Sequence, residues 1–234
     1  MLVAILIVIV AKTSEPTGVV NALLLANLIS LVLFGLRVIA AQNIRYWFLV
    51  WNLVLAWLPA LFVWWLIKQL KTKRWQEPLP MLLTIFWLGF LPNSFYLISD
   101  LIHLQSTGDI GVLFDTVMFM SFILNGLVAG YLSVFQVHQQ LLRRKGREVA
   151  HILIGVVFLL VSFAIYLGRT LRWNSWDVLL NPAGVLFDVS ERVISPLEHP
   201  QAIVTTTIFF LLLGSSYIVV WQLAHYHVNN KDQG

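Results

Sequence analysis

The sequence predicts an all-α, polytopic transmembrane helical bundle of about seven spans, forming a single domain over residues 1–234, and three observations predict it. Hydrophobic residues fill 59% of the 234 positions, charged residues only 11%, and mean hydropathy is +0.83, more apolar surface than a water-soluble fold can hide. The charges are gathered into short clusters between long apolar runs, as expected where an uncompensated charge at the bilayer centre costs about 3 kcal/mol or more. The apolar runs are continuous and carry Gly and Pro, unlike the alternating pattern of a membrane β-barrel.

Runs long enough to cross a hydrocarbon core of about 30 Å occur at 18–40, 46–67, 79–99, 111–137, 150–168 and 201–224. These are six clear spans. Met1 to Ala11 is apolar but only about half a span, without a basic leader or an A-x-A cleavage site. It is expected to be a short first helix, with a cleaved signal peptide as the alternative. Asn21, Asn27, Asn52 and Asn125 are in-span amides expected to bond between helices, and Gly126 with Gly130 is a close-packing pair one turn apart. Between the last two spans, Arg169 to Pro200 is the longest connection. There Leu186, Val189, Val193 and Leu197 recur at helical spacing opposite Asp188, Glu191 and Arg192, which predicts an amphipathic surface helix.

Lys68, Lys71, Lys73 and Arg74 form one basic loop and Arg143, Arg144, Lys145 and Arg147 another, two spans apart. Both are assigned to the cytoplasm, so seven spans place the N-terminus outside and the tail His225 to Gly234 inside. Tryptophans such as Trp47, Trp64, Trp75, Trp173 and Trp221 lie near span ends, at headgroup level. The net charge of +4 then reflects orientation in a lipid bilayer and not a nucleic-acid partner. The absence of cysteine excludes disulfides, thiolate metal sites and cysteine nucleophiles. No Walker loop, dinucleotide fingerprint, nucleophile elbow or zincin motif is present.

The densest polar cluster runs from Leu91 to Leu104. Pro92 removes a backbone donor and should bend the helix; with helix resumed beyond it, Asn93, Tyr96, Asp100 and His103 share one stripe. An Asp three residues before a His can orient the ring, raise its basicity or share a metal with it, the alternative being a solvated helix end. A second cluster offers Arg169 and Arg172 one helical turn apart, followed by Asn174 and Asp177. Paired guanidinium groups suit phosphate or carboxylate, the alternative being arginines that anchor a helix end. A metal would need a further ligand, for which Asp115 and Asp177 are the candidates; the sequence specifies no cofactor. The orientation argument puts both clusters on the outer face. His138, His151, His225 and His227 fall near the cytoplasmic side, the tail pair solvated.

In Leu91-Pro-Asn-Ser-Phe-Tyr96 through Asp100-Leu-Ile-His103, then Asp115, Gly168-Arg169, Arg172 and Asn174 to Asp177, the chain resembles the DUF1361 family of bacterial integral membrane proteins over roughly residues 20–224. It departs at Phe95, where the family's pattern has proline. The resemblance implies a multi-pass protein of the bacterial cytoplasmic membrane and no established activity. It also implies that Asn93, Asp100, His103, Arg169, Arg172, Asn174 and Asp177 belong to the family's motifs.

Three functions are compatible with these residues. In the first, Asp100 and His103 are catalytic and Asn93, Tyr96, Arg169, Arg172, Asn174 and Asp177 bind an anionic or lipid-linked envelope substrate. In the second the same residues form the binding or proton-relay site of a transporter or flippase. In the third they dock a protein partner of a non-catalytic assembly factor.

Overall fold

The computed structural model describes residues 16–106, 108, 110–173 and 176–229. They form α1 (Pro16–Ala41), α2 (Trp47–Gln69), α3 (Pro78–Ser99) running into a 3-10 turn (Asp100–His103), α4 (Val112–Lys145) and α5 (Arg147–Thr170). These are followed by the short α6 (Asp177–Leu180), α7 (Pro182–Ile194), a second 3-10 turn (Pro196–Glu198) and α8 (Pro200–Asn229). Among the described residues six helices, α1 to α5 and α8, are long and apolar enough to cross a membrane. Each of the six expected runs falls in one of them; the expected short helix at Met1 to Ala11 lies outside the described residues.

The helix boundaries follow from local chemistry. Four helices open on proline, at Pro16, Pro78, Pro182 and Pro200, where the missing N–H is one that no intrahelical acceptor needs. One residue, Gly146, joins α4 to α5, and its φ of +82° is the left-handed conformation that a tight reversal between antiparallel spans requires. α4 runs past the expected end at 137 to Lys145. Its 34 residues reach about 51 Å, so the basic end Arg143, Arg144 and Lys145 stands clear of the apolar core. Arg144 Nη2 donates to the Leu70 carbonyl at 2.9 Å, closing the end of α2.

α4 is the hub, touching α1, α2, α3 and α5; α2 and α3 share the most extensive interface, and α8 leans on α5. The main core runs through Trp87, Leu91, Phe95, Tyr131, Phe158 and Tyr217, while Leu25, Ile85, Ile152 and Leu211 face outward, as on a lipid-facing surface. At one end of α8, buried His138 meets the Tyr217 hydroxyl at 2.9 Å through Nδ1, stacks on Trp221 at 4.0 Å and takes His151 edge-on. The side chains of His225 and His227 lie outside what is described.

Of the in-span amides, Asn125 donates to Ser30 Oγ across α4 and α1 at 2.9 Å, and Asn52 reaches from α2 to α3. Asn27 instead bonds its own helix, at Leu23 O, because that carbonyl one turn back is within its reach, and Asn21 is exposed. Gly126 and Gly130 bring α4 against α3: a Cβ at Gly126 would lie 2.5 Å from Leu97 Cδ1 and 2.6 Å from the Ser94 carbonyl oxygen. Gly126→Ala is therefore expected to lose about 1–3 kcal/mol of stability by overpacking, since backbone as well as side chain must yield. An unchanged melting temperature in detergent would contradict this.

Candidate functional site

The Leu91 to His103 cluster stays helical through Pro92. Asn93 Nδ2 donates to the Phe90 carbonyl at 3.0 Å, and the helix tightens to a 3-10 turn only at Asp100. Three residues per turn keeps Asp100 and His103 on one side. Pro92 leaves the Leu88 carbonyl without its helical donor, and Pro59 does the same for Leu55 in α2.

Arg169, at the end of α5, ties this region together. Its Nη2 donates to Asp100 Oδ1 at 2.8 Å and to Ser99 Oγ, its Nε reaches Ser99 Oγ at 3.1 Å, and its Nη1 meets His103 Nε2 at 3.1 Å. Its Cζ sits 4.5 Å from the centre of the Tyr96 ring, within cation–π range. The other Asp100 oxygen accepts from Asn52 Nδ2 at 2.8 Å. The Asp100 side chain is only 2% exposed and that of Arg169 20%, so the pair joins α2, α3 and α5 from below the surface. Asp100 thus spends both oxygens on Asn52 and Arg169, and Arg169 stands between it and the next acceptor, His103. An arginine N–H only donates, so in this contact His103 Nε2 is the acceptor. The His103 ring is exposed and lies against Phe48, with 5.2 Å between centroids. Gly168 makes room here: the Tyr96 hydroxyl donates to its carbonyl at 3.2 Å, and a Cβ would lie 3.0 Å from the Tyr96 ring.

Beside this network is a cavity of about 400 Å³ between α2, α3 and α5, lined also by Trp173, Trp176 and Val185. Most of its wall is apolar, and its polar groups include Asn52, Asn93 and Tyr96. Asn52 and Tyr96 face both ways: one holds Asp100, the other lies under Arg169.

Of the remaining expected residues, Arg172 is exposed, takes φ +61° where α5 ends and has no ion-pair partner among the described residues. Asp177 begins α6, and Asn174 lies outside the described residues. Asp115 pairs elsewhere: its Oδ1 accepts from Arg37 Nε at 3.3 Å between α4 and α1, with side chains 1% and 0% exposed. Arg37 also donates to Asn43 Oδ1 and lies 4.5 Å over the Tyr46 ring. An aromatic layer separates the two pairs, for Phe48 meets His103 on one side and Tyr46 and Phe119 on the other. Among the described residues no three His, Asp or Glu side chains converge as a metal-ligand set.

Sequence reasoning missed the Arg37–Asp115 pair and the part played by Asn52. The signal for the pair was present, because each is the only charged residue in its apolar run and the two have opposite signs. Nothing in the sequence distinguishes Asn52 from the other in-span amides.

The class these features define is a polytopic helical membrane protein with two Asp–Arg pairs at one end of the bundle, one fully buried and one partly, and an apolar cavity against the second. Within that class the chain belongs to the DUF1361 family, described as a protein of unknown function, whose model matches residues 51–215. That range is narrower than the resemblance at 20–224; it takes in the cavity and the Asp100–Arg169 network but not Arg37. No curated protein matches the chain, and no solved structure does.

Proposed function

We propose that the protein binds an anionic, lipid-linked molecule of the bacterial cell envelope, its tail in the cavity between α2, α3 and α5 and its headgroup at the end where His103, Arg169 and Arg172 stand. The observation that carries this reading is the sharing of Asn52 and Tyr96 between an apolar cavity of about 400 Å³ and the Asp100–Arg169–His103 network. An amphiphile needs that conjunction of apolar volume and fixed positive charge. By the basic loops, this end faces away from the cytoplasm of a plasma membrane.

Asp100 has a positioning role, holding the Arg169 guanidinium with its planar fork aimed at Ser99 and His103. The exposed His103 is the titratable group nearest a bound headgroup and the one to carry proton transfer in an enzyme. Asn93 lines the cavity with Tyr96, and Asn174 and Asp177, which follow Arg172 in the sequence, are further candidates for contact with the headgroup.

Gly89 supplies the test. It lines the cavity and a Cβ there meets nothing within 4 Å, so Gly89→Leu starts a side chain into the cavity from an unobstructed position and replaces a poor helix former. The wild type purified in mild detergent is expected to retain lipid by native mass spectrometry, and Gly89→Leu to lose it while melting no lower. Equal retention by both proteins would overturn the cavity as the binding site.

A further inference from the structure

We infer that α7 is an interfacial helix, sunk by its outer face into the lipid leaflet at the Asp100–Arg169 end of the bundle, and that it roofs the cavity from that position. The partner is a lipid surface. The inference does not depend on what the cavity holds.

The helix is turned inside out relative to a helix on a soluble protein. Its polar side faces the bundle: Asp188 Oδ2 accepts from Trp173 Nε1 at 2.7 Å, and Arg192 bonds Asp188 Oδ1 at 3.2 Å and the Tyr166 hydroxyl of α5 at 3.4 Å. Its apolar side faces away. Leu186 and Phe187 are each 67% exposed, Val193 68%, Ile194 80% and, just beyond the helix, Leu197 89%. Those positions form one stripe at i, i+1, i+7, i+8 and i+11. Ser190, in the middle of it, returns its hydroxyl to the Phe187 carbonyl at 2.8 Å and so presents no unpaired donor to lipid. The expected stripe included Val189, but Val189 is half-buried and Phe187 and Ile194 take the outer face instead. Asp188 and Arg192 fix that rotation.

Lipid is the occupant because of where α7 is attached. It hangs between the ends of two membrane-crossing helices, α5 and α8, whose outward surfaces are themselves apolar, so the stripe continues a lipid-facing surface. Fixed polar contacts on the inner side leave α7 unable to roll its apolar face onto the protein. Val185, on the inner side, joins Trp173 and Trp176 in the cavity wall, which places that wall at headgroup depth.

The chain has no cysteine, so single labels can be introduced without removing any. Phe187→Cys, Ile194→Cys and Leu197→Cys, each carrying an environment-sensitive fluorophore, would be reconstituted in vesicles of phosphatidylethanolamine and phosphatidylglycerol. Gln76→Cys, in an exposed loop, serves as the water reference and Ile85→Cys, on the outer face of α3, as the lipid reference. All three α7 labels are expected to be quenched several-fold more by a lipid with a nitroxide near the headgroup than the Gln76 label is, and shielded from aqueous iodide. Iodide quenching equal to that at Gln76 would overturn the inference by placing α7 in water. Shielding from both quenchers would overturn it by showing protein, such as a second copy of the chain, on the stripe. Because these side chains are 67–89% exposed, the labels leave the packed core untouched, and lipid retention in the cavity is read separately.

Discussion

Asp115→Ala is expected to cost the protein about 3–5 kcal/mol of stability, the largest effect of any single exchange considered, because it leaves the Arg37 guanidinium buried without its counter-charge. Arg37 has no exposed side-chain surface, and its surroundings offer little compensation. Asn43 takes Nη1, while Arg37 Nη2, Asp115 Oδ2 and the Tyr46 hydroxyl find no hydrogen-bond partner among the described residues. A half-satisfied polar cluster in a low-dielectric interior is stabilised mainly by the charge pair itself. The double variant Arg37→Met with Asp115→Leu removes both charges and is expected to recover most of the loss. Denaturant unfolding in detergent measures both quantities. A single-variant loss below about 0.5 kcal/mol, the level of an ordinary surface exchange, would show that the pair carries no such weight.

The second large effect is expected at Asp100, where alanine frees both Arg169 and Asn52. The stability loss should fall at or below the lower end of the same ~3–5 kcal/mol range, because Arg169 retains 20% exposure and an unpaired guanidinium there can reach solvent or headgroups. The functional loss should be larger. Without Asp100 the guanidinium loses its only counter-charge among the described residues and keeps just the neutral contacts to Ser99, His103 and the Tyr96 ring, so retention of an anionic lipid should fall several-fold even in protein that stays folded. Arg169→Lys should lose retention to a similar degree, since one ammonium cannot reproduce simultaneous contacts to Ser99, Asp100 and His103. Native mass spectrometry on variants matched for melting behaviour separates the two effects. Full retention by folded Asp100→Ala would remove Asp100 from the binding machinery.

These two pairs mark where reading the sequence stopped. Arg37 and Asp115 each lie near one end of an apolar run, where a charge can reach water without a partner, so sequence alone does not pair them. Asp100 and His103 were placed side by side correctly, yet the contact that organises them comes from Arg169, 69 residues away from Asp100. The amphipathic helix was legible, but its rotation was not: hydrophobic spacing reports that two faces exist, and Asp188 and Arg192 binding Trp173 and Tyr166 decide which one turns inward.

By itself, then, the sequence determined the class of protein, the six membrane-crossing helices, the close-packing glycines and the two polar clusters at one end. All of these are properties of continuous stretches, because hydropathy summed over about 20 residues settles whether a segment crosses a bilayer regardless of its neighbours. Tertiary structure alone decided that Arg37 belongs to Asp115, that Asn52 and Arg169 share Asp100, and that a cavity opens against Asn52 and Tyr96. Those are relations between side chains on different helices, set by each helix's rotation and by how closely residues such as Gly126 and Gly168 let neighbours approach. In a buried setting a charge is tolerated only where that rotation brings its partner within hydrogen-bond distance.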